Sequence, residues 1–564
     1  MVHTGGAGLS PHYYRDNFVL LCDTVEAQYQ DLLTGREQQF LQCYRELPLA
    51  AQCLYVRLIS RTGPWFRESK LVYAELGVIS PIVDKLLGAG FVELGAGLCV
   101  EELGWLYTRP ELVQAFGAVL TEPAARGKPA LLAQIEALGL DSAQRRELLV
   151  AVDPERVVAP LNLEEVQLFQ LLFFGNRRQG LTDFVLSDLG VARYYPYPLD
   201  RARRLFPHRE AVDEYIACAA LGDCWYAIRE SGDLSNLPAL AAEMLAMQLL
   251  FPSSERRWHR LCNGLARDLE RIGELELAAE LYTRSERHPA RERRLRILER
   301  REDWIAALQL GAQILAQPWC EEERDAADRV LPRVHRKLGN KLAARQRDNF
   351  AGVSLALSRQ DAPVELLAAR RLEADWAAVH YVENSLMNSL FGLAFWEQIF
   401  APLPGVFHNP FQSVPADMYS PEFRRRRESL LAARLAELRA GDTGRILRQA
   451  YNKYCGFQCS WVDWRLLDGG LLDATTSIIP REHLLAIWQR MLFDPQENRR
   501  GFPDLLALGE MPGSYCLIEV KGPGDALQES QRRWLRFFAS ERIPAAVAWV
   551  SWRDSSDTGS PGRD

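Results

Sequence analysis

The chain has 564 residues, 48% apolar and 25% charged, with a formal net charge of −7. That length exceeds what one hydrophobic core sustains and predicts three or four domains. The acidic balance excludes a binder held by bulk positive charge, so any nucleic-acid contact must come from local basic patches.

Residues 1 to about 15 are Gly-rich and polar and are expected to be loose. Apolar spacing at Phe18, Leu21, Val25, Tyr29, Leu32 and Leu33 predicts helix over 16–46, and 47–60 reads as a second amphipathic helix. Arg61, Trp65, Arg67 and Lys70 then set basic side chains beside an aromatic, a candidate phosphate-contacting stretch. A helix around Ile82–Leu87 and an extended run at 88–93 follow. Helix, helix and hairpin-like stretch fit a winged-helix domain or a plain helical one. Arg126 and Lys128 open a short apolar helix that Gly139 stops, in the manner of a two-helix SAP module or an ordinary helical hairpin.

From about 160 to 375 the pattern is helical. The Ala- and Leu-rich segments 273–282 and 303–310 lie about thirty residues apart, which suits tetratricopeptide-like helix pairs. The basic run 291–301 carries interleaved Glu and reads as a solvated helix face with i,i+4 pairs. Arg424, Arg425, Arg426 and Arg427 are sharper. Four adjacent like charges need an anionic neighbour, either DNA phosphate or a salt-bridge cluster with Glu422, Glu428 and other acids.

The C-terminal part carries the chemistry. Gly501-Phe-Pro-Asp504 precedes Glu519-Val-Lys521. Asp504 and Glu519 offer hard oxygen ligands, suited to Mg²⁺ or Mn²⁺. The run 515–521 reads as a strand ended by Gly522-Pro-Gly524, and residues i and i+2 of a strand share a face, so Lys521 would join Glu519 in one pocket. On these three residues alone a solvated strand edge with a Lys–Glu pair serves as well. The flanking pattern of strand, strand and then a helix over 527–538 favours a metal site, and it is the core of the PD-(D/E)xK nuclease fold. Eleven cysteines, the closest being Cys218/Cys224 and Cys455/Cys459, lack a paired framework or a second zinc-ligand pair and read as reduced thiols. Neither a signal peptide nor a membrane-spanning apolar run is present, so a cytoplasmic, nucleoid-associated location is expected.

The wording around these residues resembles the VRR-NUC domain of the Fanconi-associated nuclease family. Gly501–Leu506, Ile518–Asp525 and Gln531–Leu535 carry the resemblance. It extends to 383–400, where Glu383 precedes an apolar helix, to 404–412 and 421–427, and to Phe184–Gly190. The resemblance implies a multidomain, mainly α-helical protein. Its N-terminal region (1–120) would be winged-helix-like and bind DNA, followed by a SAP-like module (121–160). A tetratricopeptide-like region (161–375) would lead to a C-terminal α/β nuclease domain (376–564). It implies a metal-dependent, structure-specific DNA endonuclease and 5′–3′ exonuclease acting on 5′ flaps and branched DNA, with a role in interstrand-crosslink repair. One or two ions would be held by Asp504, Glu519, Glu383 and the Val520 carbonyl. Lys521 would act on the attacking water and Gln531 on the scissile phosphate or on Lys521. A ubiquitin-binding zinc finger of the long eukaryotic relatives is not evident, which points to a bacterial source. The rival expectations are an end-trimming nuclease without flap preference and a non-catalytic helical repair scaffold.

Overall fold

The computed structural model describes residues 10–95, 98–120, 125–181, 193–340 and 348–553. The stretch 184–190 and most of the polar N-terminus therefore lie outside the described residues. The chain forms two compact units. The first gathers Met1–Ala192, Leu199–Leu205 and His408–Phe411, and the second holds the remainder.

In the first unit, helices Tyr13–Tyr29, Gly35–Glu46 and Leu49–Ile59 precede helix Ser80–Gly88. Thr34 starts the second of these with a capping box. Its hydroxyl takes the Glu37 amide while the Glu37 carboxylate takes the Thr34 amide. An antiparallel sheet in the order β1 (Phe66–Arg67), β3 (Val157–Pro160), β2 (Val92–Leu94) completes the domain. The strand that closes the wing comes from beyond the SAP-like segment. Phe18, Tyr44, Tyr55 and Phe91 meet edge-on or tilted and fill the core. Helices Val100–Leu106, Arg109–Phe116, Lys128–Ala137 and Ser142–Val150 bury Leu103, Leu112, Phe116, Leu131 and Ile135 in a separate cluster. Gly139, at φ 64°, stops the third helix as the sequence predicts. The SAP-like cluster thus starts near residue 98, earlier than 121.

In the second unit, β4 (Arg193–Tyr194) leads to a run of helices: Arg209–Ser231, Leu237–Ala246, Pro252–Ile272, Leu275–Thr283, Ala290–Arg300, Trp304–Ala316 and Glu321–Lys337. The expected repeat pair appears as the helices at 275–283 and 304–316. Arg291, Arg293, Arg296 and Arg301 pair with Glu323, Glu270, Glu292 and Glu276. One of these is an i,i+4 pair and the others bridge to adjacent helices.

The nuclease sheet is assembled from distant segments. Its order is β5 (Gly352–Leu357), β10 (Ala545–Trp552), β9 (Tyr515–Lys521), β8 (Leu505–Leu508), β6 (Ala378–Tyr381), while β7 (Phe457–Gln458) pairs with β4 outside it. β5, β10 and β9 run parallel, and β8 and β6 join antiparallel. The core therefore begins near residue 352 rather than 376. Ile518, Val520, Leu505, Ala507, Ala548 and Val550 pack one face of the sheet against Leu367, Ala368 and Leu372 of helix Val364–Leu372.

Candidate active site

Strand alternation sets up the site. Ile518 and Val520 face the apolar core, so Glu519 and Lys521 must face the other way. Both are buried, and the Lys521 Nζ sits 3.0 Å from Glu519 Oε1. Leu505 pairs with Ile518, so Asp504, one residue before β8, stands across from Glu519. The Asp504 carboxylate accepts the Val520 amide at 2.8 Å, and its own carbonyl accepts the Val382 amide at 2.8 Å. That second bond carries β6 one residue past its last sheet pair and brings Glu383 to the same end. Three adjacent strands thus deliver Glu383, Asp504 and Glu519 to one edge of the sheet.

The helix Glu529–Glu541 supplies the fourth polar group. Gln531 closes that helix's capping box by accepting the Gln528 amide at 2.8 Å, and its amide nitrogen donates to Glu519 Oε1. Gln531 is not the surface amide that its position on an amphipathic helix permits. Gly501 makes this approach possible. It holds φ 73°, and a Cβ there would lie 2.7–2.8 Å from Ser530, including its backbone carbon.

Burial raises the Asp504 carboxyl to about 6, opposed by the Val520 amide and reinforced by the charge of Glu383. Burial also raises Glu519 to about 7, with Asp504 adding repulsion that the Lys521 ammonium only partly offsets. Glu519 Oε2 is buried with no hydrogen-bond partner. Two mutually repelling acids, an orphaned carboxylate oxygen and an all-oxygen donor set fit a hard divalent cation.

Sequence reasoning missed several neighbours. The Tyr381 hydroxyl donates to Glu383 Oε2 at 2.6 Å. Its signal is the i,i+2 spacing with Glu383 at the end of β6. Asn384, at φ 51°, accepts the Phe502 amide at 3.1 Å and ties the Glu383 turn to the segment before Asp504. Arg500 and Arg533 join Glu383, Asn384 and Gln531 around a cavity of about 500 Å³. Arg533 is fixed by Asp325 at 3.1 Å and Glu497 at 3.2 Å.

The expected basic contacts divide. Arg61 and Lys70 are exposed, as is Arg126, and Lys128 is half-buried at the first turn of its helix. Arg67 is not a phosphate contact. It is buried and holds Glu111 at 2.6 Å and Asp153 at 2.7 Å together with Glu155. Trp65 commits its indole N–H to Glu102 at 2.8 Å and packs against the cluster of the neighbouring helices. In the arginine run, Arg424 and Arg425 are exposed. Arg427 is not available to DNA: it is fully buried, donating to Asp417 at 2.9 Å and to the Gln398 carbonyl at 2.9 Å. Arg426 is turned to the Pro404 carbonyl and Asp417.

A mixed sheet that delivers Asp and Glu-x-Lys from adjacent strands, backed by a Gln-bearing helix, defines a nuclease of the PD-(D/E)xK type. Comparison with known proteins narrows the class. Family models match as "FAN1, HTH domain" over residues 12–93, "Fanconi anemia-associated nuclease SAP domain" over 97–147 and "VRR-NUC domain" over 439–552. The chain is 37% identical to a Fanconi-associated nuclease 1 homolog of Pseudomonas aeruginosa across 96% of each chain. It is 24% identical to a homolog of Oryza sativa, covering 95% of this chain and 62% of that one. Crystal structures of paFAN1 bound to 5′-flap DNA with a gap superpose with TM-scores of 0.82 and 0.80 at 36% identity over 97% of this chain. The chain belongs to the Fanconi-associated nuclease family. It is a DNA-cleaving hydrolase whose nuclease domain is of a divalent-metal-dependent kind. Among the described residues, no helix is long and apolar enough to cross a membrane.

Proposed function

We propose that this protein is a structure-specific DNA endonuclease and 5′–3′ exonuclease that cuts 5′ flaps and related branched DNA in a cytoplasmic, nucleoid-associated setting, including the repair of interstrand crosslinks. The observation that carries the reading is the convergence of Glu383, Asp504 and Glu519 on one sheet edge, with Lys521 and Gln531 already bonded to Glu519. Full-length similarity to proteins solved with 5′-flap DNA supports the substrate class.

Asp504, Glu519 and Glu383, with the Val520 carbonyl, would hold Mg²⁺ or Mn²⁺. When bound, the metal stabilises charge on the attacking and leaving oxygens of an in-line displacement. Lys521 places a buried ammonium beside Glu519, where its charge would act at lowered dielectric on a phosphorane-like oxygen or on the incoming water. Gln531 fixes the rotamer of Glu519 and leaves Oε2 for the ion. Tyr381 does the same for one Glu383 oxygen. Arg61, Lys70, Arg126, Lys128, Arg424 and Arg425 are the candidate phosphate contacts; such contacts position a duplex arm without reading its sequence.

The test is cleavage of flap, nicked and blunt duplexes with Mg²⁺, Mn²⁺ or EDTA. Metal-dependent cutting that favours the flap is expected. Equal rates on blunt ends would make the enzyme a non-selective end-trimmer, and no cutting with either ion would leave a scaffold.

A further inference from the structure

The second unit holds a cluster of chemistry-bearing groups that the nuclease reaction does not use. The turn before helix Ala290–Arg300 presents His288. The first turn of helix Glu321–Lys337 presents Cys320, its N-cap, and Glu322. One donor atom from each of these three lies within 4.8 Å of the others. We propose that His288, Cys320 and Glu322 form a second metal site, selective for a zinc-like cation and separate from the nuclease centre.

The donor set argues for that ion. A thiolate, an imidazole and a carboxylate suit Zn²⁺, whereas Mg²⁺ requires oxygen. The spacing argues for it too. With zinc–ligand bonds of about 2.0–2.1 Å, a tetrahedron has N–O edges of about 3.3 Å. His288 Nδ1 lies 3.4 Å from Glu322 Oε2. The cysteine edges need a contraction of at most about 1.2 Å, since a Zn–S bond of about 2.3 Å gives edges of about 3.6 Å.

A second observation is the support behind the histidine. Nε2 of His288 is bonded to Glu292 at 2.8 Å, and Glu292 is held by Arg296 at 2.8 Å. A metal-binding histidine uses this arrangement: one ring nitrogen faces the ion while a carboxylate on the other fixes the tautomer and raises basicity. The three consecutive glutamates also differ. Glu321 binds Arg490 at 2.9 Å and Glu323 binds Arg291 at 2.7 Å, but Glu322 faces His288. Glu322 is partly exposed, which leaves a route for the ion and room for a water as fourth ligand. Bound metal would pin the turn at 288 to the start of helix Glu321–Lys337. That helix's Asp325 fixes Arg533, two residues after Gln531.

The full chain, stripped with chelator and titrated with Co²⁺, tests the site. The expected result is a thiolate-to-cobalt charge-transfer absorption that disappears in Cys320→Ser and persists in Asp504→Asn, because the carboxylate site offers no sulfur. Zinc competes the band away at one equivalent. Glu292→Gln weakens zinc about 10–100-fold without abolishing it, and His288→Asn weakens it at least as much. Retained Mg²⁺-dependent cleavage identifies Cys320→Ser as folded. No such band in the parent protein, or a band unchanged in folded Cys320→Ser, overturns the site and leaves His288 as an imidazolium between Glu292 and Glu322.

Discussion

Asp504→Asn should destroy cleavage and stabilise the metal-free fold, and the gain should depend on pH. Asp504 is buried across from Glu519, and its carboxyl is raised from the ordinary 3.8 to about 6. A raised value means that the folded chain keeps a proton that the unfolded chain has lost. The stabilisation is therefore complete below about pH 4 and drains away as pH climbs through about 6. By pH 8 the loss amounts to about 3 kcal/mol, at about 1.4 kcal/mol per tenfold change. At pH 5 it is about half of that by the same relation. Asparagine keeps the oxygen that accepts the Val520 amide, carries no charge, and lets Glu519 return toward its ordinary range.

In EDTA at pH 8 the variant's second unit should therefore unfold later, by about 6 °C if each kcal/mol is worth about 2 °C in a unit of this size. The gain should shrink at pH 5. Mn²⁺ should stabilise the parent but not the variant, because only the parent retains the paired carboxylates. Scanning calorimetry at the two pH values, with and without Mn²⁺, measures all three. An Asp504→Asn chain no more stable than the parent at pH 8, or one with the same gain at pH 5, would refute the electrostatic account of the site.

Glu519→Ala should abolish cleavage while flap binding by gel shift survives; normal turnover with Mn²⁺ would remove Glu519 from the ligand set. Glu383→Gln preserves size and should cost at least about tenfold in kcat with weaker metal activation, and a native rate would reduce it to a charge near a helix start. Gly501→Ala should lower both stability and rate, since the new Cβ meets the Ser530 backbone and displaces Gln531; a neutral outcome in melting and activity would show that the approach relaxes freely. Arg61→Glu with Lys70→Glu should weaken flap binding and reduce its salt slope by about 1–2, whereas Arg67→Glu should unfold its domain by stranding Glu111, Asp153 and Glu155. An unchanged salt slope in the double variant would move the DNA path elsewhere, with Arg424 and Arg425 next to be tested.

What the sequence reveals about this molecule follows the range over which residues interact. The meeting of Asp504, Glu519 and Lys521 is legible because a strand has period two and a turn follows it, both local properties. Gly139 as a helix stop was legible for the same reason. The errors share the opposite cause. Arg67 reads as a surface cation because its acidic partners stand 44, 86 and 88 residues away. In the arginine run, each residue of a helix turns through about 100°, so four adjacent like charges cannot share one face. Arg427 lies just past the end of helix Pro421–Arg426, at φ −116°, and there turns inward to Asp417 while Arg424 and Arg425 stay outside. The start of the nuclease sheet is not legible because β5 pairs in parallel with β10 across almost two hundred residues, a pairing with no local signature. Gln531 lies between the two cases. Its helix position is local and readable, but its bond to Glu519 requires the close approach that Gly501 permits. A candidate centre of this kind therefore shows its strand-borne carboxylates in the sequence and hides their supports, because the carboxylates sit on or beside regular strands and the supports arrive through tertiary contacts.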